Sequence, residues 1–78
     1  MTQRDMILEY IDRFGSISPM EAFSDLGITK LATRVSELDA MGVSLEKTWE
    51  SRRNRFGKIV RYKRYSRLTN DGRLHKAS

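Results

Sequence analysis

The sequence predicts an α+β fold in which three short helices are followed by a two-stranded antiparallel β-hairpin. Apolar residues recur at intervals of three or four through the first part of the chain, and beyond Gly42 they alternate with polar residues. The net charge also differs in sign between the first and the second part of the chain. Residues 1–50 carry five basic and nine acidic side chains, a net charge of −4, whereas residues 51–78 carry ten basic and one acidic, a net charge of +9. Such a charge distribution indicates a partner of dense negative charge that binds the second half of the chain.

The first helix is predicted to begin after Thr2, because Thr2 and Asp5 have the spacing of a capping box. Gly15 is suited to end it in a left-handed conformation. The spacing of the intervening apolar residues predicts one apolar stripe, formed by Met6, Ile7, Tyr10, Ile11 and Phe14.

The second helix has its own capping box in Ser18 and Glu21, with Pro19 at the first helical position. It is predicted to span about two turns and to end at Gly27. Its inner side is predicted to consist of Met20, Ala22, Phe23 and Leu26.

The third helix is predicted to have Thr29 as its N-cap and to end at Gly42. Only residues 27–29 link it to the second helix, and a connection this short makes the two helices cross steeply, as in a helix-turn-helix. Its core-facing stripe is predicted to contain Leu31, Val35, Leu38 and Met41.

The hairpin is predicted from alternation in residues 43–49 and from the β-branched and aromatic residues in 58–67. The connector, residues 51–57, is polar and long for a hairpin turn. Because Val60 and Tyr62 fit one face and Tyr65 the other, a bulge or strand end is expected near residues 63–64. Ile17 is expected to add a short third strand.

Several classes of protein are excluded by size and composition. A chain of 78 residues forms one small domain, predicted here as residues 1–68 followed by a frayed basic tail of residues 69–78. It contains no Cys, no apolar run long enough to span a bilayer, and no apolar segment typical of a signal peptide, so a cytoplasmic location is expected. The single His75 has no acidic neighbour in the tail. We therefore expect no catalytic residue, metal site, cofactor or small-molecule ligand, and no enzymatic activity.

Three helices with a tight second turn and a hairpin with a basic end resemble the winged helix-turn-helix domain, in which the hairpin is called the wing. More narrowly, the chain resembles small helix-turn-helix proteins of phages and mobile elements. The resemblance covers residues 3–68, and its most characteristic parts are residues 17–22, 26–28, 31–38, 42–43 and the strand that contains Tyr62. It implies binding to double-stranded DNA, with the third helix in the major groove and the wing on the backbone or minor groove. It also implies a role as a transcriptional regulator or an excisionase-like factor.

The candidate DNA contacts form two groups. On the third helix, an arginine can bind guanine bidentately, and threonine and lysine can reach base edges or phosphates. In the wing, cations that no acid neutralises are suited to phosphates, and an asparagine can donate to one. The candidates are Thr29, Lys30, Thr33 and Arg34 on the helix, and Arg52, Arg53, Asn54, Arg55 and Lys58 in the wing.

Other interpretations remain open for these residues. The helix residues can be the solvated side of an amphipathic helix, and the wing cations can form a mobile charged loop. Phe56 is expected to pack at the base of the wing rather than to act as an intercalating wedge. Trp49 is expected to cover the small core rather than to form an exposed contact.

The main alternative function is a protein-binding module, such as an inhibitor or antirepressor, that docks its basic wing on an acidic protein surface. Glu37 and Asp39 favour this alternative, because they make the end of the third helix acidic. RNA binding is less well supported, since the sheet is too small for a base-stacking platform. A single unit recognises few base pairs, so a homodimer or a larger nucleoprotein assembly is also expected.

Overall fold

The structure, a computed structural model, describes residues 1–67. The predicted basic tail, with His75, lies outside the described residues. The order of elements confirms the predicted α+β class, because three helices precede one antiparallel pair of strands. Their bounds are α1 Gln3–Phe14, α2 Pro19–Leu26, α3 Leu31–Ala40, β1 Leu45–Arg53 and β2 Ile59–Arg67.

Helix α1 begins with the predicted capping box. The Thr2 Oγ1 accepts a hydrogen bond from the Asp5 backbone N–H (3.1 Å), and the Asp5 carboxylate accepts one from the Thr2 N–H (3.0 Å). These hydrogen bonds to Thr2 hold the pKa of Asp5 below its usual range. Ile7 and Ile11 are fully buried, but Phe14 is 66% exposed. Phe14 belongs to the last turn, beyond the core, and packs on the Tyr10 ring with centroids 4.7 Å apart.

Helix α2 also begins with the predicted capping box. The Ser18 Oγ accepts from the Glu21 N–H (3.2 Å), and the Glu21 Oε1 accepts from the Ser18 N–H (3.0 Å). The predicted inner side of this helix is partly wrong, because Met20 and Phe23 are more than half exposed. These two residues are three positions apart and share the outer face, whereas the small Ala22 is buried and lets α2 lie close to its neighbours.

Helix α3 begins one residue later than predicted. The Arg34 N–H donates to the Lys30 carbonyl (3.2 Å), which makes Lys30 the N-cap, and no side chain of residues 1–67 caps this end. Thr29 therefore lies one residue before the cap of α3 and does not cap the helix. It follows Ile28, which is buried and holds the preceding segment against the core. The left-handed Gly27, with a φ of 71°, turns the chain from α2 into this segment.

The predicted core stripe of α3 is confirmed over its first three members. Leu31, Val35 and Leu38 are buried, but Met41 is 63% exposed. Met41 lies outside the helix, at its C-cap, where the Val43 N–H donates to the Leu38 carbonyl (2.8 Å) and the chain turns towards β1.

The two strands pair without interruption, from Leu45 opposite Arg67 to Arg53 opposite Ile59. The expected bulge near residues 63–64 is therefore wrong. Tyr65 lies on the opposite face from Val60 and Tyr62 without any bulge, because it alone of the three is buried and the other two lie farther out along the hairpin. The connection is also shorter than predicted, since only residues 54–58 lie between the strands.

Ile17 forms the expected third strand as a single antiparallel bridge to β2. The Ile17 N–H donates to the Tyr65 carbonyl and the Tyr65 N–H donates to the Ile17 carbonyl, both at 2.9 Å. The segment between α1 and α2 is thereby fixed to the middle of the fold.

The core draws residues from all three helices but only from the base of the hairpin. Beyond the pair of Lys47 and Tyr65, neither strand contributes a buried apolar residue within residues 1–67, so the hairpin projects for six further residue pairs, roughly 20 Å at 3.4 Å per residue. The buried core residues are Ile7, Ile11, Ile17, Ala22, Ile28, Leu31, Val35, Leu38, Leu45 and Tyr65.

The Ser18 cap should contribute measurably to stability, because its hydroxyl is the acceptor for the first turn of α2 and the residue is only 3% exposed. We expect Ser18→Ala to destabilise the fold by about 1 kcal/mol, which for a domain of this size lowers Tm by roughly 4–8 °C. Thermal unfolding followed by circular dichroism measures this. Ser44→Ala is the control, since Ser44 is exposed, and equal Tm values for the two variants would contradict the assignment.

Candidate nucleic-acid interface

Arg64 joins the hairpin to the helices. From β2 its Nη1 donates to the Ser16 Oγ (3.0 Å) and to the Glu21 Oε1 (2.9 Å), and its Nε donates to the Glu50 Oε2 on β1 (2.9 Å). Partial burial lowers the pKa of Arg64, but the hydrogen bonds to Glu21 and Glu50 outweigh that effect and raise the pKa above its usual value. The guanidinium thus stays charged and fixes the hairpin base against the start of α2.

Two further ion pairs connect the hairpin to the other helices. The Arg67 Nε lies 2.7 Å from the Asp12 Oδ1 on α1, and the Lys47 Nζ lies 3.2 Å from the Asp39 Oδ2 near the end of α3. Each strand of the hairpin is therefore joined to a helix by an ion pair of its own, in addition to the contacts of Arg64.

Most acidic side chains of the helices are engaged within the protein. The predicted acidic end of α3 is neutralised locally, because Glu37 pairs with two arginines and Asp39 with Lys47. On α1 and α2, the engaged carboxylates are those of Asp5 with Thr2, Glu9 with Arg13, Asp12 with Arg67, Glu21 with Arg64 and Asp25 with the Tyr10 hydroxyl.

The candidate residues at the start of α3 lie outside its buried stripe of Leu31, Val35 and Leu38. Thr29, Lys30 and Thr33 are exposed, and Arg34 is half-buried. The Arg34 Nη1 donates to both carboxylate oxygens of Glu37 (2.7 and 2.8 Å), and the Arg4 Nη1 on α1 donates to the Glu37 Oε1 (3.2 Å). Glu37 therefore holds the Arg34 guanidinium in place.

This arrangement leaves Arg34 able to bind a further acceptor. A guanidinium has five N–H donors in one plane, and only Nη1 of Arg34 is used for Glu37 in the described part of the chain. Its Nε is buried and has no protein partner among residues 1–67, so Nη2 is the nitrogen that remains for another acceptor. The Arg4 contact was not foreseen from the sequence, because it joins positions 33 residues apart.

The wing candidates lie at the far end of the hairpin, but three of them differ from the prediction. Arg52 and Arg53 belong to β1 rather than to the loop, because the ladder continues to Arg53 opposite Ile59. Lys58 precedes β2 instead of beginning it. Within residues 1–67, no carboxylate lies within 4.0 Å of any of six wing cations, namely Arg52, Arg53, Arg55, Lys58, Arg61 and Lys63.

Asn54 organises the loop at the end of the wing. Its Oδ1 accepts from the Phe56 N–H (2.9 Å) and from the Lys58 N–H (3.0 Å), while its own N–H donates to the Lys58 carbonyl (2.7 Å). The Arg53 Nη1 donates to the Gly57 carbonyl (2.9 Å). The loop is thus closed by several hydrogen bonds, and the Asn54 carbonyl serves the loop, which leaves only its amide nitrogen for a phosphate.

Two aromatic residues of the wing lie where the sequence did not place them. Trp49 is 57% exposed, with the Arg61 Cζ 4.9 Å and the Lys63 Nζ 5.3 Å from its ring centroid. It does not cover the core, because it pairs with Lys63 above the buried level of Tyr65. Phe56 is 87% exposed at the loop rather than packed at the wing base. The sequence pattern does not reveal this contact between Trp49 and the two cations, because it depends on the strand register, which sets Lys63 opposite Trp49.

Other kinds of site find no support among the described residues. Nowhere in residues 1–67 do His, Asp or Glu side chains cluster closely enough to hold a metal ion. None of the helices in the same range is long and apolar enough to cross a membrane.

Comparison with known proteins identifies one family. Residues 2–69 match a family model described as a winged helix-turn-helix domain. No curated protein and no solved structure matches the chain.

The role of Asn54 in the loop can be tested without any ligand. We expect Asn54→Ala to speed hydrogen exchange at the Phe56 and Lys58 amides, because both lose their acceptor. Exchange can be followed by NMR in acidic buffer. Arg55→Ala, a change in the same loop that removes neither bond, should leave both rates unaltered. Unchanged rates in Asn54→Ala would show that the loop is not held by this side chain.

Proposed function

Because the chain belongs to the winged helix-turn-helix domain family, we propose that it binds double-stranded DNA through α3 and the wing together. In this proposal α3 enters the major groove, and the wing lies on the backbone or in the minor groove. The observation that carries the proposal is the distribution of unpaired charge. The helical carboxylates are engaged within the protein, whereas the wing presents six cations with no carboxylate partner in the described residues.

Within this proposal, α3 reads a short sequence. The first part of a recognition helix reaches base edges, and Lys30, Thr33 and Arg34 occupy that part of α3. Arg34 is best suited to guanine, because Glu37 orients its guanidinium while leaving its other nitrogens unused by that carboxylate. Thr29 and Thr33 fit phosphates or a thymine methyl group.

The wing supplies affinity rather than sequence preference. Arginine and lysine contacts to phosphates release counterions and act on all sequences alike. Arg52, Arg55 and Lys58 are exposed and make no hydrogen bond through their side chains to the rest of residues 1–67, so they are free for such contacts. Arg53 is held by the Gly57 carbonyl through one nitrogen and keeps others for a phosphate.

The alternative, a module that docks its wing on an acidic protein surface, drew support from the acidic third helix. That support is weakened by the pairing of Glu37 with Arg4 and Arg34 and of Asp39 with Lys47. The biological role stays part of the proposal, as a regulator of the phage or mobile-element type or an excisionase-like factor. Since one unit reads few base pairs, two or more copies are expected on each site.

Single alanine substitutions should distinguish the contribution of α3 to DNA binding from that of the wing. On a duplex selected from random DNA, Arg34→Ala should cost about 1–3 kcal/mol and relax the preference at one base pair. Arg52→Ala should weaken all sequences nearly equally. With roughly six phosphate contacts, log K should fall with log salt with a slope of about −5, and Arg52→Ala should reduce that slope by about one.

Fluorescence anisotropy of labelled duplexes across a salt series measures both effects. The matched control is Arg13→Ala, because Arg13 lies on α1, pairs with Glu9 and belongs to neither group of candidates. The proposal is wrong if wild-type protein binds no duplex at low salt, or if Arg13→Ala weakens binding as much as Arg52→Ala.

A further inference from the structure

The most exposed large apolar side chain in the described structure is that of Phe56, at the end of the wing. Its side chain is 87% exposed, which is unfavourable for a phenyl ring in water. The backbone beneath it is not loose. Its own N–H donates to the Asn54 Oδ1 (2.9 Å), and the Gly57 N–H donates to the Asn54 carbonyl (3.0 Å). The loop therefore presents the ring outwards from a hydrogen-bonded base.

The charges around the ring indicate what covers it. Arg55 and Lys58 flank it in the loop, Arg52 and Arg53 end the strand before it, and none has a carboxylate partner among residues 1–67. An apolar partner such as a lipid interior would leave these four cations without counter-charges. A nucleic acid supplies both an apolar contact for the ring and counter-charges for the cations, because its phosphates line the rims of a groove whose floor consists of stacked bases.

The dimensions of the wing select the minor groove for this contact. The minor groove is about 6 Å wide, and the two strands of a hairpin are already about 4.8 Å apart before their side chains are added. The strands cannot enter, so only side chains at the end of the wing reach the floor. Within residues 54–58, Asn54 is used by the loop and Gly57 has no side chain, which leaves Arg55, Phe56 and Lys58.

We propose that Phe56 inserts as an apolar wedge between base pairs in the minor groove and bends the bound DNA. Apolar side chains placed in this way partly unstack one base step and kink the duplex by roughly 20–90° towards the major groove. Arg55 and Lys58 hold the phosphates on either side while the ring leaves water. The inference rests on the proposed DNA binding and adds to it a deformation of the bound duplex.

The test measures the bend and the binding separately. A duplex of about 30 base pairs, much shorter than the ~150 base-pair persistence length of DNA, carries a donor dye at one end and an acceptor at the other. Energy transfer reports the end-to-end distance, and anisotropy confirms saturation by the full-length chain. The proteins are wild type, Phe56→Ala, Phe56→Leu and, as a matched control, Phe14→Ala, whose ring is also exposed but lies on α1.

We expect saturation with wild-type protein to raise energy transfer, and Phe56→Ala to remove most of that rise while it still binds. Phe56→Leu should keep most of the rise, because leucine is also an apolar wedge, and Phe14→Ala should match wild type. The wedge is overturned if Phe56→Ala at saturation bends DNA as wild type does, or if wild type binds without bending. In either case DNA binding itself stands, and the exposed ring belongs to another partner, such as a protein. If anisotropy shows no binding by any variant, the proposed function fails as well.

Discussion

The attachment of β2 to the segment between α1 and α2 determines where the wing lies. Two backbone hydrogen bonds join Ile17 to Tyr65, and the neighbouring Arg64 bonds to Ser16, Glu21 and Glu50. The outer half of the hairpin buries no apolar residue, so nothing in the core holds it directly. Its orientation relative to α3 depends on this junction at its base, and a surface that uses both elements requires the junction to be rigid.

The ion pairs also explain how one small chain combines an acidic half with a basic half. Each pair that joins the hairpin base to a helix uses an acid of α1, α2 or α3 and a cation of a strand, as in Asp12 with Arg67 and Asp39 with Lys47. Half-exposed pairs of this kind add little stability individually. Their main consequence is electrostatic, because they neutralise the helices and leave the positive charge at the far end of the wing, where the cations repel one another until an anionic partner binds.

Local sequence patterns predicted much of the fold and less of the candidate site. Both capping boxes, the buried stripe of α3 and the Ile17 strand are confirmed, since each depends on residues close in sequence or on simple apolar spacing. The sequence could not show which of two apolar faces is buried in short helices around a thin core. Nor could the sequence show the strand register, because the register depends on where the turn begins. These two gaps account for the wrong expectations for Met20, Phe23, Met41, Trp49 and Phe56.

NMR can show whether α3 and the wing bind one duplex together. Backbone amide shifts would be followed as an unlabelled duplex is titrated into isotopically labelled protein. If both elements bind, residues 29–34 and residues 52–58 shift together with the same apparent affinity, while the exposed side of α1 around Phe14 stays unperturbed. Shifts confined to the wing, or two groups that saturate at different DNA concentrations, would contradict binding by both elements together.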